Sequence, residues 1–515
     1  MSRVSLPYVL AAASGVLLAL SFPKFGQPAF GWIALAPLLV ALSIDIDPQL
    51  AGSRSRSLAR AFALGLTTGG IYFAGTLYWI TRVMVVYGGL QTWVALLVNA
   101  ALVAYLALFP ALFAVVTRRL AMSYGARALM TAPLVWAATE LGRTHLFGGF
   151  PWVLLGYSQV TMLPVAQLGS VFGVYGVSAL AASASAAAAT CVVTRCATTR
   201  WRAGVSVAAL IVGVTVWGSI RVGSGALTRA GEPLRVGLVQ GNVDQDEKWD
   251  ASRAAAILGE HLRMTRQAVE AGAELVIWPE SSTPFFFEED HLGAEQVRAL
   301  ARQSRVSILL GSDQIERGSP ARYYNSAFLV GPDGSTAGVY RKMHLVPFGE
   351  YVPLKRLLFF AAPLVEAVSD FSAGDAAVLL PVGGHLISTA ICYEIVYPDL
   401  VRRFVHGGSE LLTTITNDAW FGPTSAASQH FAQASMRAIE EGRYLVRSAN
   451  TGISGIVDPY GRVVEQTGLF EPAVVVGQAR FLTAATFYAR HGDVFAYASV
   501  VVTLAMLVLA RWRVQ

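Results

Sequence analysis

The chain has 515 residues, of which 54% are hydrophobic and only 14% charged, and its mean hydropathy is +0.51. Soluble domains carry about 25% charged residues, so this composition excludes an ordinary soluble protein and indicates that much of the chain lies in lipid. Three cysteines are too few for a disulfide scaffold, and the formal charge of +6 does not predict nucleic-acid binding, because the arginines gather between apolar stretches.

Eight apolar stretches approach the length of about 20 residues that a membrane-spanning helix needs. The first follows Arg3 and has the pattern of a secretory signal, but further spans follow it, so we expect an uncleaved helix. The stretches lie near residues 5–21, 29–43, 60–80, 90–117, 128–142, 163–193, 203–220 and 493–510. They predict a polytopic α-helical membrane domain of about eight transmembrane helices.

Arginines occupy alternate connections between these stretches, as the positive-inside rule requires if both termini are cytoplasmic. The groups are Arg54, Arg56 and Arg60; Arg118, Arg119 and Arg127; Arg195, Arg200 and Arg202; and Arg511 and Arg513. We therefore predict seven transmembrane helices in residues 1–221, a catalytic domain outside the cytoplasm in residues 222–490, and a last transmembrane helix in residues 491–515.

The loop at residues 145–159 is predicted to lie on the same outer side as the polar block. Its aromatic residues Trp152 and Tyr157 have two interpretations. They are either interfacial anchors or part of a lipid entrance.

Within the polar block, strand patterns alternate with helical patterns, which predicts an α/β or layered α-β domain. Two hairpins have turn residues at Pro332-Asp333-Gly334 and at Asp458-Pro459-Tyr460-Gly461. The predicted strands cover 234–242, 273–280, 306–313, 385–392 and 411–420, and the hairpins cover 325–342 and 454–466. The predicted helices cover 252–272, 294–304, 397–405 and 428–446.

Residues 385–394, HLISTAICYE, read as a buried strand that ends at a cysteine. The glycine pair Gly383-Gly384 before it and Pro398 after it favour a strand, a turn and then a helix. A thiol at such a turn lies near helix N-terminal amides, which lower its pKa and can receive an oxyanion. A lone cysteine is nevertheless more often a small buried hydrophobe, so Cys392 alone does not predict catalysis.

Three reactive groups stand at or just beyond the ends of apolar strands: Glu280, Lys342 and Cys392. Because ligands gather outside the carboxyl ends of strands in open α/β sheets, the three can share one pocket. A carboxylate there takes the thiol proton, a thiolate attacks an acyl carbonyl, and an ammonium holds the oxyanion. Taken singly, Glu280 is better explained as a helix cap, Lys342 as a surface charge and Glu350 as a solvated loop residue.

The sequence offers no pattern for a metal or a nucleotide. His344, His385, His406 and His430 are too scattered to form a ligand set, and neither a GxGxxG nor a P-loop pattern is present. We therefore expect neither a metal nor a cofactor.

Three motifs together resemble the nitrilase superfamily, whose Glu-Lys-Cys triad lies in an α-β-β-α sandwich. They are WPE at 278–280, YRKMHLVPFGEYVP at 340–353 and CYE at 392–394. With GLVQGNVDQDEKW at 237–249, YYNSA at 323–327, ITNDAWFG at 415–422 and the flanking spans, nearly the whole chain resembles the membrane-embedded branch of that superfamily, the apolipoprotein N-acyltransferase family.

The resemblance implies a role for each matching residue. Glu280 would be the general base, Lys342 the oxyanion stabiliser and Cys392 the nucleophile, with Glu350 assisting the triad. Residues implied to shape the site or its pocket are Tyr393, Glu394, Trp249, Asn325 and Trp152.

The resemblance also implies the reaction. A fatty acyl group would pass from a phospholipid, typically phosphatidylethanolamine, through a Cys392 thioester to the free amine of a diacylglyceryl-cysteine in an apolipoprotein. The protein would be a monomer in a bacterial inner membrane, with no nucleic-acid partner. The apolar segment 354–365, near the site, would be either a lid or a buried helix.

Three other kinds of protein, one of them an enzyme, remain as alternatives at this stage. A membrane-anchored amidase or nitrilase-like hydrolase would use the same triad on small amides. A non-catalytic scaffold would be expected to lack a triad member, and a transporter would place ionisable groups within its spans, whereas most charges here lie in the loops.

Overall fold

The structure, a computed structural model, combines an N-terminal helical region with an α/β region. It describes residues 5–44, 54–245, 247–248, 250, 252–347, 349–351 and 371–512. Trp249 and the predicted lid at 354–365 lie outside the described residues.

The helical region forms from the apolar stretches. Its helices are α1 (Ser5–Leu20), α2 (Pro28–Ile33), α3 (Ala36–Ala41), α4 (Arg54–Thr76), α5 (Trp79–Val86), α6 (Thr92–Tyr124), α7 (Ala132–His145), α8 (Leu163–Ala166), α9 (Gly169–Val193), α10 (Ala197–Ser224) and α11 (Ala226–Arg229). The remaining helices are α12 (Ala254–Glu270), α13 (His291–Ser304), α14 (Pro398–His406), α15 (Ala426–Glu441), α16 (Phe487–His491) and α17 (Val494–Trp512).

Within the described part of the chain, four helical stretches are long and apolar enough to cross a membrane, and two shorter ones are apolar. The four are Thr92–Gly148, Gly169–Val193, Ala197–Arg229 and Val494–Trp512, and the shorter two are Ser5–Leu20 and Pro28–Ala41. The predicted second stretch, 29–43, is divided into α2 and α3. The prediction of a helical region with apolar helices is thereby confirmed, with fewer long apolar helices among the described residues than the eight predicted.

Helix α9 is broken near its start, where Gly173 adopts a φ of +65°. Only glycine fits there, because an added Cβ would lie 2.5 Å from the ring of Tyr488. The backbone N–H of Val174, which opens the second part of the helix, donates to Glu440 Oε1 of α15 at 2.7 Å. A carboxylate from the α/β region thus caps a helix of the membrane region.

Among the residues that the structure describes, the α/β region contains two six-stranded sheets, as the predicted sandwich requires. The first has the order β12-β1-β2-β3-β4-β5 and the second the order β11-β10-β9-β8-β7-β6. The strands are β1 (Pro233–Gln240), β2 (Leu275–Ile277), β3 (Ser307–Glu316), β4 (Arg322–Val330), β5 (Thr336–Arg341), β6 (Leu380–Val382), β7 (His385–Ile391), β8 (Leu411–Thr416), β9 (Leu445–Ala449), β10 (Gly455–Val457), β11 (Val463–Gln466) and β12 (Ala473–Arg480).

The alternation of side chains along each strand divides the core into layers. Leu275 and Ile277 of β2 belong to the large core that also contains residues of the second sheet, such as Ile387. Val276, between them, belongs to a separate core with α12 and α13, as does Leu262. The two sheets therefore lie between outer helices in an α-β-β-α arrangement.

One predicted helix boundary in the α/β region is wrong, and some strands were not predicted. The helix expected over 428–446 ends at Glu441, because Gly442 takes a left-handed φ of +64° and terminates it. Residues Leu445–Ala449 instead form β9. The strands β6 and β12 were not predicted; β12 pairs along its whole length with β1.

Candidate active site

The candidate site lies where strand ends of the two sheets meet. Glu280 follows β2, Lys342 directly follows β5, and Cys392 directly follows β7 of the other sheet. A hydrogen bond joins the sheets, since the backbone N–H of Asn417, after β8, donates to Glu280 Oε2 at 2.8 Å. The parallel strands β1–β2–β3 and β7–β8–β9 bring these ends to a common edge.

A buried ammonium lies between two carboxylates at this edge. Lys342 Nζ is 2.9 Å from Glu350 Oε1 and 3.4 Å from Glu280 Oε1. The amide nitrogen of Asn325 donates to the same two oxygens, at 2.9 Å and 2.7 Å. Burial opposes the ammonium, but the carboxylates of Glu350 and Glu280 outweigh it and hold the pKa of Lys342 above its usual value. The site therefore keeps a fixed positive charge.

The lysine and both carboxylates are enclosed by protein. Lys342 is 1% exposed, Glu280 6% and Glu350 9%. Glu350 is further fixed by the backbone N–H of Val346, which donates to its Oε2 at 2.8 Å. A surface charge and a solvated loop residue are thus excluded as interpretations of Lys342 and Glu350, and Glu280 is bonded to the other sheet rather than capping a helix.

Cys392 is half-buried at the start of a single 3₁₀ turn and has a φ of +52°, a conformation that side-chain-bearing residues rarely adopt. Burial raises the pKa of its thiol, and the Glu280 carboxylate raises it further, while the Lys342 ammonium opposes both. The predicted lowering of this pKa by helix amides is wrong for the resting site. The thiol is protonated at neutral pH, next to a carboxylate that can accept its proton.

Glu394 is fully buried and fixes the turn that carries the cysteine. Its Oε2 accepts from the N–H of Ile391 at 2.7 Å, and its Oε1 accepts from the Tyr340 hydroxyl and the Met343 N–H, each at 2.7 Å. Burial raises the pKa of this carboxyl to about 7 in spite of these donors. The side chain therefore joins the end of β7 to the end of β5.

Trp152 reaches the site from the membrane region, and it is 1% exposed, so it does not face lipid. Its ring stacks on Tyr393, with centroids 6.4 Å apart and planes at 20°. Arg143 of α7 donates to the Trp152 carbonyl at 2.7 Å. Tyr157 is also buried and accepts a hydrogen bond from Arg437 at 2.8 Å. Both aromatic residues therefore belong to the contact between the two regions.

Several polar residues at the site were not selected from the sequence. Asn417 and Asp418 directly follow β8, so the strand-end argument that selected Cys392 would also have selected them. His430 lies inside α15 and Arg447 inside β9, and no local pattern marks either. Within the described ranges, no group of three His, Cys, Asp or Glu residues is arranged to hold a metal ion.

Sequence comparisons match both regions of the chain. The profile of the carbon-nitrogen hydrolase family matches residues 235–486, and that of the apolipoprotein N-acyltransferase N-terminal domain matches residues 14–187. The apolipoprotein N-acyltransferase of Geobacter metallireducens is 41% identical over 98% of this chain and 95% of its own length. That of Methylococcus capsulatus is 36% identical over 94% of this chain and 92% of its own length.

Among solved structures, the chain is similar to an amidase of the nitrilase superfamily from Nesterenkonia. The two share 20% sequence identity and a TM-score of 0.41, over 53% of this chain and 98% of the amidase. A member of branch 10 of the same superfamily from Saccharomyces cerevisiae shares 18% identity and a TM-score of 0.38, over 48% of this chain and 90% of its own.

Proposed function

Because the chain belongs to the apolipoprotein N-acyltransferase family of the nitrilase superfamily, it is an acyltransferase, and we propose that Glu280, Lys342 and Cys392 carry out the transfer. The observation that supports this assignment is the arrangement at the junction of the two sheets. There the Glu280 carboxylate and the Lys342 ammonium lie close enough to the Cys392 thiol to shift its pKa, the carboxylate upward and the ammonium downward.

The first half-reaction loads the enzyme. Glu280 accepts the proton of the Cys392 thiol as the sulfur attacks the ester carbonyl of a phospholipid. Lys342 stabilises the oxyanion that forms. The intermediate then expels the lysophospholipid oxygen, which takes the proton from Glu280, and the acyl group remains on sulfur as a thioester.

The second half-reaction transfers the acyl group to the free amine of a diacylglyceryl-cysteine. The amine attacks the thioester carbonyl, the same ammonium holds the oxyanion, and Glu280 takes a proton from the attacking nitrogen. The thiolate leaves and recovers that proton from Glu280. One ester and one amine are thereby converted to one amide and one alcohol.

The raised pKa of the thiol is consistent with this sequence. The Glu280 carboxylate disfavours a thiolate while it is itself charged. Once the proton moves to Glu280, that repulsion disappears, and the Lys342 ammonium then favours the thiolate against the remaining effect of the Asp418 carboxylate. The transfer leaves the total charge of the site unchanged, so a buried site can perform it without solvent.

The supporting residues have proposed roles in holding this arrangement. Glu350 and Asn325 fix the Lys342 ammonium and the Glu280 carboxylate, and Glu394 fixes the cysteine turn. Trp152 and Tyr393 form an apolar wall beside the nucleophile that excludes water from the thioester. For Trp249, a role in the substrate pocket stays a prediction.

The location of both substrates follows from their chemistry, since a phospholipid donor and a lipidated acceptor remain in a bilayer. We propose a bacterial inner membrane, phosphatidylethanolamine as the donor and an apolipoprotein as the acceptor. Seven transmembrane helices in 1–221 and one in 491–515, with both termini cytoplasmic, would place the catalytic domain, 222–490, on the periplasmic face. We propose that the protein acts as a monomer.

Intact-protein mass spectrometry tests the thioester directly. The purified enzyme is incubated with phosphatidylethanolamine and no acceptor, beside a Cys392→Ala control. We expect one added fatty-acyl mass on the wild-type protein alone, discharged when a diacylglyceryl lipopeptide with a free amine is added. An adduct that persists in the control would remove Cys392 as the nucleophile, and release of free fatty acid without an adduct would favour a hydrolase.

A further inference from the structure

A buried network outside the proposed triad contacts the backbone of the nucleophile. His430 of α15 is fully buried, and its Nε2 lies 3.1 Å from the carbonyl oxygen of Cys392. Its Nδ1 lies 3.0 Å from Asp418 Oδ1 and 3.1 Å from Arg447 Nη2. Arg447 Nη2 also donates to Asp418 Oδ2 at 2.7 Å, and both of these residues are fully enclosed.

The partners of His430 determine which ring nitrogen carries the proton. A carbonyl oxygen only accepts, so the nitrogen that faces Cys392 must be an N–H. Nδ1 is occupied in either charge state of the ring, since it accepts from the Arg447 guanidinium when the ring is neutral and donates to Asp418 Oδ1 when the ring is protonated. Asp418 is satisfied by Arg447 and by the Thr416 hydroxyl, which donates to its Oδ1 at 2.8 Å. The ring thus presents Nε2–H to the Cys392 carbonyl and has no nitrogen left to act as a base.

The bonded carbonyl belongs to the peptide that joins Cys392 to Tyr393. A peptide is planar, and its C=O and N–H point in opposite directions, so a bond that fixes the oxygen also fixes the Tyr393 N–H. That N–H belongs to the residue that directly follows the nucleophile, and a backbone N–H in such a position can receive an oxyanion. Because Cys392 has a φ of +52°, the local backbone preference does not by itself maintain this orientation.

We propose that His430 is a positioning residue, whose Nε2–H holds the Cys392–Tyr393 peptide so that its N–H side, together with Lys342, receives the oxyanion in both half-reactions. Asp418 and Arg447 set the tautomer and orientation of the imidazole. The inference rests on the proposed function, because it assumes that an acyl oxyanion forms at Cys392.

Two variants of similar length separate the hydrogen bond from packing. His430→Gln retains an N–H donor near the position of Nε2, whereas His430→Met fills the space without a donor. In single-turnover assays with phosphatidylethanolamine, we expect acylation of Cys392 to be about 100-fold slower in His430→Met than in wild type, because a misplacement of about 1 Å costs about that much. In His430→Gln we expect the acylation rate to be within about fivefold of wild type. Transfer to a lipopeptide amine should slow in parallel, with the KM for the lipopeptide within about twofold of wild type.

Alkylation of Cys392 by iodoacetamide is the readout that distinguishes positioning from a general structural role, because alkylation forms no oxyanion. Its rate should change by less than about threefold in both variants. The proposal would be overturned if the alkylation rate fell as far as the acylation rate. It would also be overturned if His430→Gln were acylated no faster than His430→Met, or if His430→Met were acylated within about threefold of the wild-type rate.

If His430→Met does not yield folded protein, His430→Phe replaces it, since a ring keeps the packing against Trp152, whose centroid is 5.4 Å away. The same thresholds then apply. A wild-type enzyme that forms no acyl adduct would contradict the proposed function itself. A wild-type adduct together with unaffected variants would contradict only the role of His430.

Discussion

Two clusters of buried charge in this protein have similar composition and different surroundings. The triad cluster consists of Glu280, Lys342 and Glu350 and lies against the Cys392 thiol. The interface cluster consists of Arg437, Glu440 and Glu441 of α15, all fully buried, and lies against α9 of the membrane region. Each cluster contains one cation and two carboxyl groups, but Arg437 forms a recorded ion pair with Glu440 alone, and only the triad cluster has a nucleophile beside it.

The difference shows that burial and a shifted pKa do not identify an active site by themselves. Burial raises the pKa of Glu440 to about 7 and that of Glu441 to about 8, yet these groups hold structure. Glu440 Oε1 accepts from the Val174 N–H, and Arg437 donates to the hydroxyl of Tyr157. The interface cluster is therefore expected to control how the α/β region is held on the membrane helices, and mutations should separate the two clusters.

The largest effect is expected for Cys392→Ser. A serine beside a carboxylate is a much poorer nucleophile than a thiol, so acyl transfer should fall by at least about 1,000-fold while the protein remains folded. Turnover of lipopeptide and the thermal unfolding midpoint are measured on the same sample. Activity within about tenfold of wild type would contradict a covalent mechanism.

Lys342→Ala should have the next largest effect. Loss of one oxyanion donor costs about 100- to 1,000-fold, and both half-reactions should slow because the same oxyanion forms in each. Single-turnover acylation and discharge rates provide the measurement. Lys248→Ala is the matched control, because Lys248 is also a buried lysine but donates to the backbone carbonyl of Glu280, at 3.3 Å. We expect a smaller loss of the acylation and discharge rates in this variant than in Lys342→Ala. A loss confined to acceptor binding would refute the assigned role of Lys342.

Glu440→Ala should affect stability rather than chemistry. It removes the cap from Val174 and leaves the Arg437 guanidinium without the carboxylate that lies 3.1 Å away. Breaking a buried ion pair costs about 3–5 kcal/mol, so the thermal midpoint in detergent should fall clearly. Acylation per folded molecule should stay within about threefold of wild type.

A matched control for that variant is Glu295→Ala, which breaks the exposed ion pair with Arg302. No measurable change in the midpoint is expected there, because exposed ion pairs contribute little. If Glu440→Ala were as stable as this control, or if its acylation rate fell as in Lys342→Ala, the distinction between the two clusters would fail.

The smallest effect is expected for Glu441→Gln, and it concerns the pH dependence of stability. Burial, followed by repulsion from Glu440, raises the pKa of Glu441 from 4.5 to about 8. Between these values the folded state binds a proton that the unfolded chain has lost, so the free energy of unfolding falls as pH rises through this window. Glutamine cannot ionise, so the variant should lose part of that fall.

Thermal midpoints between pH 5 and pH 8 test this expectation. Neither Glu441 carboxylate oxygen has a hydrogen-bond partner among the described residues, so the neutral amide should not reduce stability at low pH. Glu440 contributes a fall of the same sign, and that share should remain. An unchanged pH profile would mean that Glu441 is ionised when folded.

The sequence predicted those parts of the site that end a strand. The apolar runs before Glu280 and Cys392 and the hairpin before Lys342 are local patterns, and the sheets bring their ends together. Glu440, within a helix, and Gly173 lacked such a signal. The role of each depends on a contact with a region that is distant in the sequence. The extent of α15 was overestimated because the sequence pattern did not show that Gly442 would take a left-handed conformation.

The pairing of β12 with β1 has a consequence for biosynthesis. β1 is the first strand of its sheet to be made, and one of its edges stays open until β12 has been translated, shortly before α17 begins at Val494. The backbone just after β1 bonds to Asn450, whose side chain donates to Asn417 beside Glu280. A nascent chain therefore carries an incomplete candidate site, with one edge of β1 unpaired, until β12 has been made.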